Sequence, residues 1–171
     1  MSNLAIKNLN EMKDYTNEVM DSEVFQAAIR TDHHFGYNIA CHEIHVCVVA
    51  MFLVYILSQI GIHFQIRSMI RGILCHDLGL VGRYEKKFYS GLDCALRHPV
   101  ESVKIARNLL PNLDAIEEDI IVKHMFPMNV TGIPRYKETW IVTIADKWCA
   151  ITEGLHLNRI DWIARIHQSY I

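Results

Sequence analysis

The chain has 171 residues, 51% of them hydrophobic and 21% charged, with a formal net charge of −2. That length and apolar content suit one globular domain with a sizeable core, and exclude a disordered or coiled-coil chain. The near-neutral balance argues against the basic face of a nucleic-acid binder, while local cationic clusters could still hold one phosphorylated small molecule.

Residues 4 to 30 alternate short apolar and charged positions and predict one or two amphipathic helices, interrupted by Asp32, His33, His34, Phe35 and Gly36. Asn38 is placed to cap a long helix running to about Gln59, which Gly61 ends. The uninterrupted apolar run in it, Val46 to Leu57, falls short of the ~20 residues a membrane span needs, so a buried core helix is expected. The next helix is predicted over Phe64 to Asp77, where Ile66, Met69, Ile70, Ile73 and Leu74 mark one face and Gly79 supplies a stop. Leu78 to Arg97 reads as a basic, glycine-bearing loop with at most a short helical turn. His98-Pro99 opens a helix that Pro111 ends, with Pro99 suited to the first helical position. Asp114 to His124 is a further helix, Phe126 to Tyr136 a loop with two prolines and a glycine, and Lys137 to Glu153 a helix closed by Gly154. A last helix is predicted over about Asp161 to Gln168. The fold class expected is all-α, one domain over residues 1–171, with a core of about 34–153 and helices packed on it at both ends.

Five cysteines, odd in number and without a CxxC pair, read as reduced, buried thiols. Residues 1–20 mix polar and apolar positions and do not read as a signal peptide. A cytoplasmic location without membrane or nucleic-acid partners is expected.

The polar residues on the apolar stripes carry the functional reading. Asp77 continues the stripe of its helix, so a carboxylate is carried toward the core. Burial of an ionised carboxylate requires a cation, a metal or a shifted pKa, and no lysine or arginine lies on the same face of the preceding turn. His42 shares a stripe with Ile39, Val46, Val49 and Leu53, and Asp146 shares one with Val142 and Cys149. His98 stands at an expected helix start, and His124 follows Leu113, Ile116 and Ile120. A lone histidine on such a face is more often a hydrogen-bonded core residue. Two aspartates and four histidines, His76 included, would make a costly core unless they converge, and imidazole with carboxylate suits a divalent ion. Asp77, with two oxygens, can bridge two ions ~3.5–4 Å apart.

His42, then His76-Asp77, then Asp146, in this order on helices, resembles the HD superfamily of metal-dependent phosphohydrolases, whose first metal site follows the pattern H…HD…D. His98 and His124 match the extra histidines of its two-metal branches. The resemblance covers about His34 to Glu153 and implies an HD-type helical bundle. It implies one ion held by His42, His76, Asp77 and Asp146, and a second by Asp77, His98 and His124, the metal being iron, manganese, zinc or similar. It also implies a metal-bound hydroxide, held by the bridging Asp77, that attacks a nucleotide or related phosphoester or phosphoanhydride. His98-Pro99-Val100, Ile121-Val122-Lys123-His124 and Ile144-Ala145-Asp146 look most like small stand-alone enzymes, and those that cleave diadenosine tetraphosphate symmetrically share this layout. The cyclic-di-GMP phosphodiesterase branch carries a histidine pair where this chain has His124-Met125, and its GYP signature is not present. Leu80 stands where many relatives place a lysine.

Arg83, Arg135, Lys147 and His34 are the candidate contacts to substrate phosphates, and His33 and His45 can orient ligands from behind. Cys75 beside the HD pair reads as packing, and Trp140, Trp148 and Trp162 as core or interface aromatics. Two other readings use the same ligands: a mixed-valent di-iron oxygenase, and a catalytically silent ligand-binding HD module. A homodimer is possible through the terminal helices.

Overall fold

The computed structural model describes residues 15–33, 36–83 and 88–155. Within them the chain is helical, with no strand beyond an isolated bridge between Asp32 and Asn38. The helices are α1 (residues 15–20), α2 (Glu23–Ile29), α3 (Ile39–Ser58), α4 (Ile66–Cys75), α5 (Gly91–Leu109), α6 (Ala115–Lys123) and α7 (Lys137–Gly154), with a single 3-10 turn at Leu78–Leu80. The fold is all-α, as expected. The expected helix at 161–168 and the start of the N-terminal helices lie outside the described residues.

Local chemistry sets the helix ends. The Asn38 side chain accepts from the Cys41 amide at 2.7 Å and starts α3. Gly61, at φ +84°, takes the left-handed conformation that lets the chain turn away after Ser58. Asp114 caps α6 in a reciprocal box with Glu117.

Two boundaries differ from expectation, and both bear on the site. Helix α4 stops at Cys75, with His76 as its cap and Asp77 already beyond it at φ −109° and ψ 4°. The Leu80 amide closes the 3-10 turn on the Asp77 carbonyl at 2.9 Å. Helix α5 begins at Gly91 rather than at His98, because the Ser90 side chain accepts from the Asp93 amide and Asp93 favours the first turn. Pro99 therefore lies inside a helix, where it offers no N–H to the Ala95 carbonyl. The expected loop from Leu78 to Arg97 is accordingly helical at its two ends, over Leu78–Leu80 and from Gly91 onward.

Helices α3, α4, α6 and α7 pack Val46, Ala50, Met69, Ile73, Ile120, Val142 and Cys149 into one core region, and α2, the other side of α4, the 3-10 turn and α5 with its cap pack Phe25, Leu74, Leu78, Val103 and Leu110 into another. Among the described helices α3 is long and apolar enough, by length and composition, to cross a membrane. Its first two turns nevertheless bury His42, Glu43 and His45 inside the bundle. Its outer face exposes Phe52, Tyr55 and Ile56, and α7 exposes Ile144, Trp148 and Ile151. Trp140 and Trp148 are thus surface residues and not core; Trp162 lies outside the described residues. All five cysteines are free thiols, and burial pushes that of Cys75 well above its ordinary range, which fits packing.

The loop from 126 to 136 is fixed to the bundle by Asp119. One carboxylate oxygen accepts from the Arg135 amide at 2.9 Å and the Thr139 hydroxyl at 2.8 Å, and the other faces Lys123 Nζ at 2.6 Å. Burial alone would raise this carboxyl, but Lys123 and the two donors outweigh it and the pKa is lowered. Its contribution to stability is therefore full above the unfolded carboxylate value near pH 3.9, and is lost as the pH falls through the folded value. Asp119→Ala is expected to cost about 1–3 kcal/mol at neutral pH. In denaturant titrations its deficit against wild type should narrow below about pH 4.

Candidate metal centre

Each of the six sequence-predicted ligands comes from a different position in the bundle: His42 from the first turn of α3, His76 from the end of α4, Asp77 from the step into the 3-10 turn, His98 from the middle of α5, His124 from the end of α6 and Asp146 from α7. All six are buried, none more than 5% exposed. The structure brings all of them together around Asp77. His42, His76 and Asp146 form one group able to hold a metal, and His76, Asp77 and His124 form another.

The two oxygens of Asp77 face different partners. Oδ1 is 3.0 Å from His98 Nε2 and 3.5 Å from His124 Nε2. Oδ2 is 3.6 Å from His76 Nε2, 3.9 Å from His42 Nε2 and 3.3 Å from His33 Nε2. His42 Nε2 also lies 3.0 Å from Asp146 Oδ1, and the two nitrogens of His98 and His124 are 2.9 Å apart.

The far side of each ring explains what the near side needs. Nδ1 of His76 lies 2.7 Å from the Ile73 carbonyl, Nδ1 of His98 2.9 Å from that of Cys94, and Nδ1 of His124 2.9 Å from that of Ile121. A carbonyl only accepts, so each Nδ1 carries the proton and a neutral ring presents Nε2 as a bare lone pair. Burial holds His124 down to about pKa 4 against the pull of Asp77, so that ring is neutral at pH 7. In that form, lone pairs of His98, His124 and Asp77 face one another, and among the described residues His76 Nε2 and Asp77 Oδ1 have no hydrogen-bond partner. A divalent cation would satisfy this set. Donors about 2.1 Å from a common ion lie roughly 3.0 Å apart when adjacent and up to ~4.2 Å when opposite, which spans the separations seen here.

Protons compete for the same atoms. Burial opposes the charged form of both Asp77 and His42, yet the imidazoles around Asp77, where protonated, hold its carboxyl well below the usual range, and hydrogen bonds to Asp146 and Glu153 raise His42 well above 6.5, so a cation bound there would have to displace the His42 Nε2 proton. Asp146, also buried, is held low by His42 and by Lys147, whose ammonium lies 2.6 Å from Oδ2.

Of the four expected substrate contacts, Lys147 thus sits against the Asp146 carboxylate, with Met125 Sδ also within 3.8 Å. Arg83 is half-buried and donates from Nη1 to the His33 carbonyl at 3.0 Å. Arg135 has an exposed side chain, and its amide is the one bound by Asp119. His34 lies outside the described residues.

The sequence reading missed Glu153. This fully buried carboxylate accepts from His42 Nδ1 at 2.9 Å and His45 Nδ1 at 2.8 Å, and so fixes which His42 nitrogen faces the centre. Its position seven residues after Asp146, on the same face of α7, was the available signal. Glu43 is equally buried, and burial lifts its carboxyl well above the usual range. Glu153→Gln is expected to weaken divalent-metal binding about 10- to 100-fold, read from competition with a chromophoric chelator, with the helical circular dichroism unchanged.

Compared with known proteins, the chain matches no family model, no curated protein and no solved structure. What stands on the geometry is a helical bundle with a buried cluster of histidine and aspartate groups, consistent with an HD-type metal site.

Proposed function

We propose that this chain is an HD-type, two-metal phosphohydrolase acting on a nucleotide or a related phosphoester or phosphoanhydride, dinucleoside polyphosphates included. The observation that supports it most is the division of Asp77, one oxygen toward His98 and His124 and the other toward His42 and His76. A carboxylate placed between two sets of imidazole lone pairs suits a pair of neighbouring cations. Two divalent ions bound there supply an activated water at neutral pH and neutralise charge that builds on phosphoryl oxygens.

The protein's own part is positional. Backbone carbonyls lock the tautomers of His76, His98 and His124, and Glu153 locks that of His42, so no ring has to reorient during turnover. Lys147 balances the charge of Asp146, which keeps this carboxylate ionised in a buried setting. Arg83 and Arg135 remain the side chains proposed to meet substrate phosphates, the first beside the His33 loop and the second on the exposed loop before α7.

The test is phosphate release by the metal-loaded protein against nucleoside mono-, di- and triphosphates and dinucleoside polyphosphates, with oxygen uptake followed in parallel. Metal-dependent release supports the hydrolase. Two bound irons with oxygen consumption and no release would replace it with the oxygenase reading, and bound metal with neither would leave a ligand-binding module.

A further inference from the structure

His33 is the donor that the six-ligand pattern does not contain. It lies between Thr31 and the start of α3, in a segment closed by the Asp32–Asn38 bridge and by the His33 amide donating to the Tyr37 carbonyl at 2.8 Å. Arg83 grips its carbonyl from the other side at 3.0 Å. So held, its ring stands edge-on to His42, with centroids 4.8 Å apart, and its Nε2 reaches within 3.3 Å of Asp77 Oδ2. His33, His42 and Asp77 form a third group whose ligand atoms could share one ion.

The donors around Asp77 are therefore divided unequally. Among the described residues, Oδ2 faces His33, His42 and His76, and His42 in turn meets Asp146; with Asp77 these make five protein donors in two overlapping groups, His33–His42–Asp77 and His42–His76–Asp146. Oδ1 faces His98 and His124, so Asp77 makes three among the described residues, with His76, which also groups with Asp77 and His124, shared between the two sides. We propose that His33 is a fifth protein ligand to the ion on the His42 side of Asp77, which makes that ion the tightly held one and leaves the His98–His124 side as the position open to water and substrate. The proposal rests on the two-metal reading above and assigns its two halves different work. The side rich in protein donors anchors an ion, and the side with three leaves coordination for an exchangeable ligand. The His33 side chain is 11% exposed, more than the other donors around Asp77, so it closes the His42 side toward solvent.

The test uses the full chain stripped of metal and titrated with Co²⁺, comparing wild type, His33→Gln and His98→Ala. Wild type is expected to bind two ions of unequal affinity. His33→Gln should weaken the tighter one at least about 10-fold, leave the weaker one unchanged, and remove one set of hyperfine-shifted imidazole resonances from the one-equivalent cobalt form. His98→Ala should instead weaken the looser ion. Circular dichroism establishes that both variants fold. If His33→Gln keeps the full set of shifted resonances, His33 only orients its neighbours and the proposal is overturned, while the metal centre stands. A wild-type chain that takes up no cobalt would overturn the two-metal reading and this proposal with it.

Discussion

Gly79→Ala is expected to lower the thermal midpoint by about 10 °C and to loosen the metal centre with it. A Cβ built at Gly79 would stand 2.2 Å from the His98 carbonyl oxygen and 2.7 Å from both the Ser102 amide nitrogen and its hydroxyl. Two of these atoms are backbone of α5, so no side-chain rotation relieves the overlap. The 3-10 turn must retreat from the helix, stretching the 2.8 Å bond from the Gly79 amide to Ser102 Oγ. Overpacking of this kind costs about 3 kcal/mol or more, and each kcal/mol is roughly 2–4 °C for a chain of this size. Because Asp77 and His98 lie on the two sides of this contact, the 3.0 Å approach between them opens as the turn moves. Gly91→Ala is the matched control. It sits in the first turn of α5 with nothing within 4 Å of its added carbon, and should change stability by no more than about 1 kcal/mol in the favourable direction.

The second large effect is expected at Asp77 itself. Asp77→Asn keeps the volume and one carbonyl oxygen but removes the charge and one of the two acceptors that the imidazole groups face. Both ions depend on that carboxylate in this account, so uptake should fall at both, where His98→Ala lowers it at one. Loss of several kcal/mol of charge stabilisation corresponds to a fall of about 10³-fold or more in any metal-dependent phosphate release. Steady-state kinetics at saturating metal would check this, with thermal unfolding of the metal-free proteins as the control for folding.

The parts of this picture that could be read from sequence are those with a helical period. His42, Asp146 and the run before Asp77 sit on apolar stripes, and a polar residue there declares itself by breaking the pattern. Asn38, Asp114 and Gly61 mark helix ends by chemistry that acts over three or four residues, and the structure uses each of them that way.

What could not be read depends on contacts between distant segments. Gly79 suggested a helix stop, yet α4 has already ended at Cys75 and the glycine is required because α5 passes against it. Pro99 suggested a first helical turn, whereas Ser90 starts the helix eight residues before His98, and the proline sits where the His98 ring bonds the Cys94 carbonyl. Glu153 looked like the end of a helix, and only the packing of α3 against α7 shows that His42 and His45 meet it. His33 lies in an irregular segment with no period at all, and its approach to Asp77 is set by the Arg83 and Tyr37 bonds to its backbone.

The most direct test of the central claim, that Asp77 stands between two sets of donors that each hold an ion, is the number of metal ions bound per chain. Protein purified anaerobically, stripped and reloaded with Mn²⁺, Fe²⁺ or Zn²⁺, would be counted by elemental analysis after removal of free metal. Close to two per chain are expected in wild type, close to one in His124→Ala, and none in Asp77→Ala. Wild-type protein that retains none of these metals, or Asp77→Ala that still retains two, would contradict that claim.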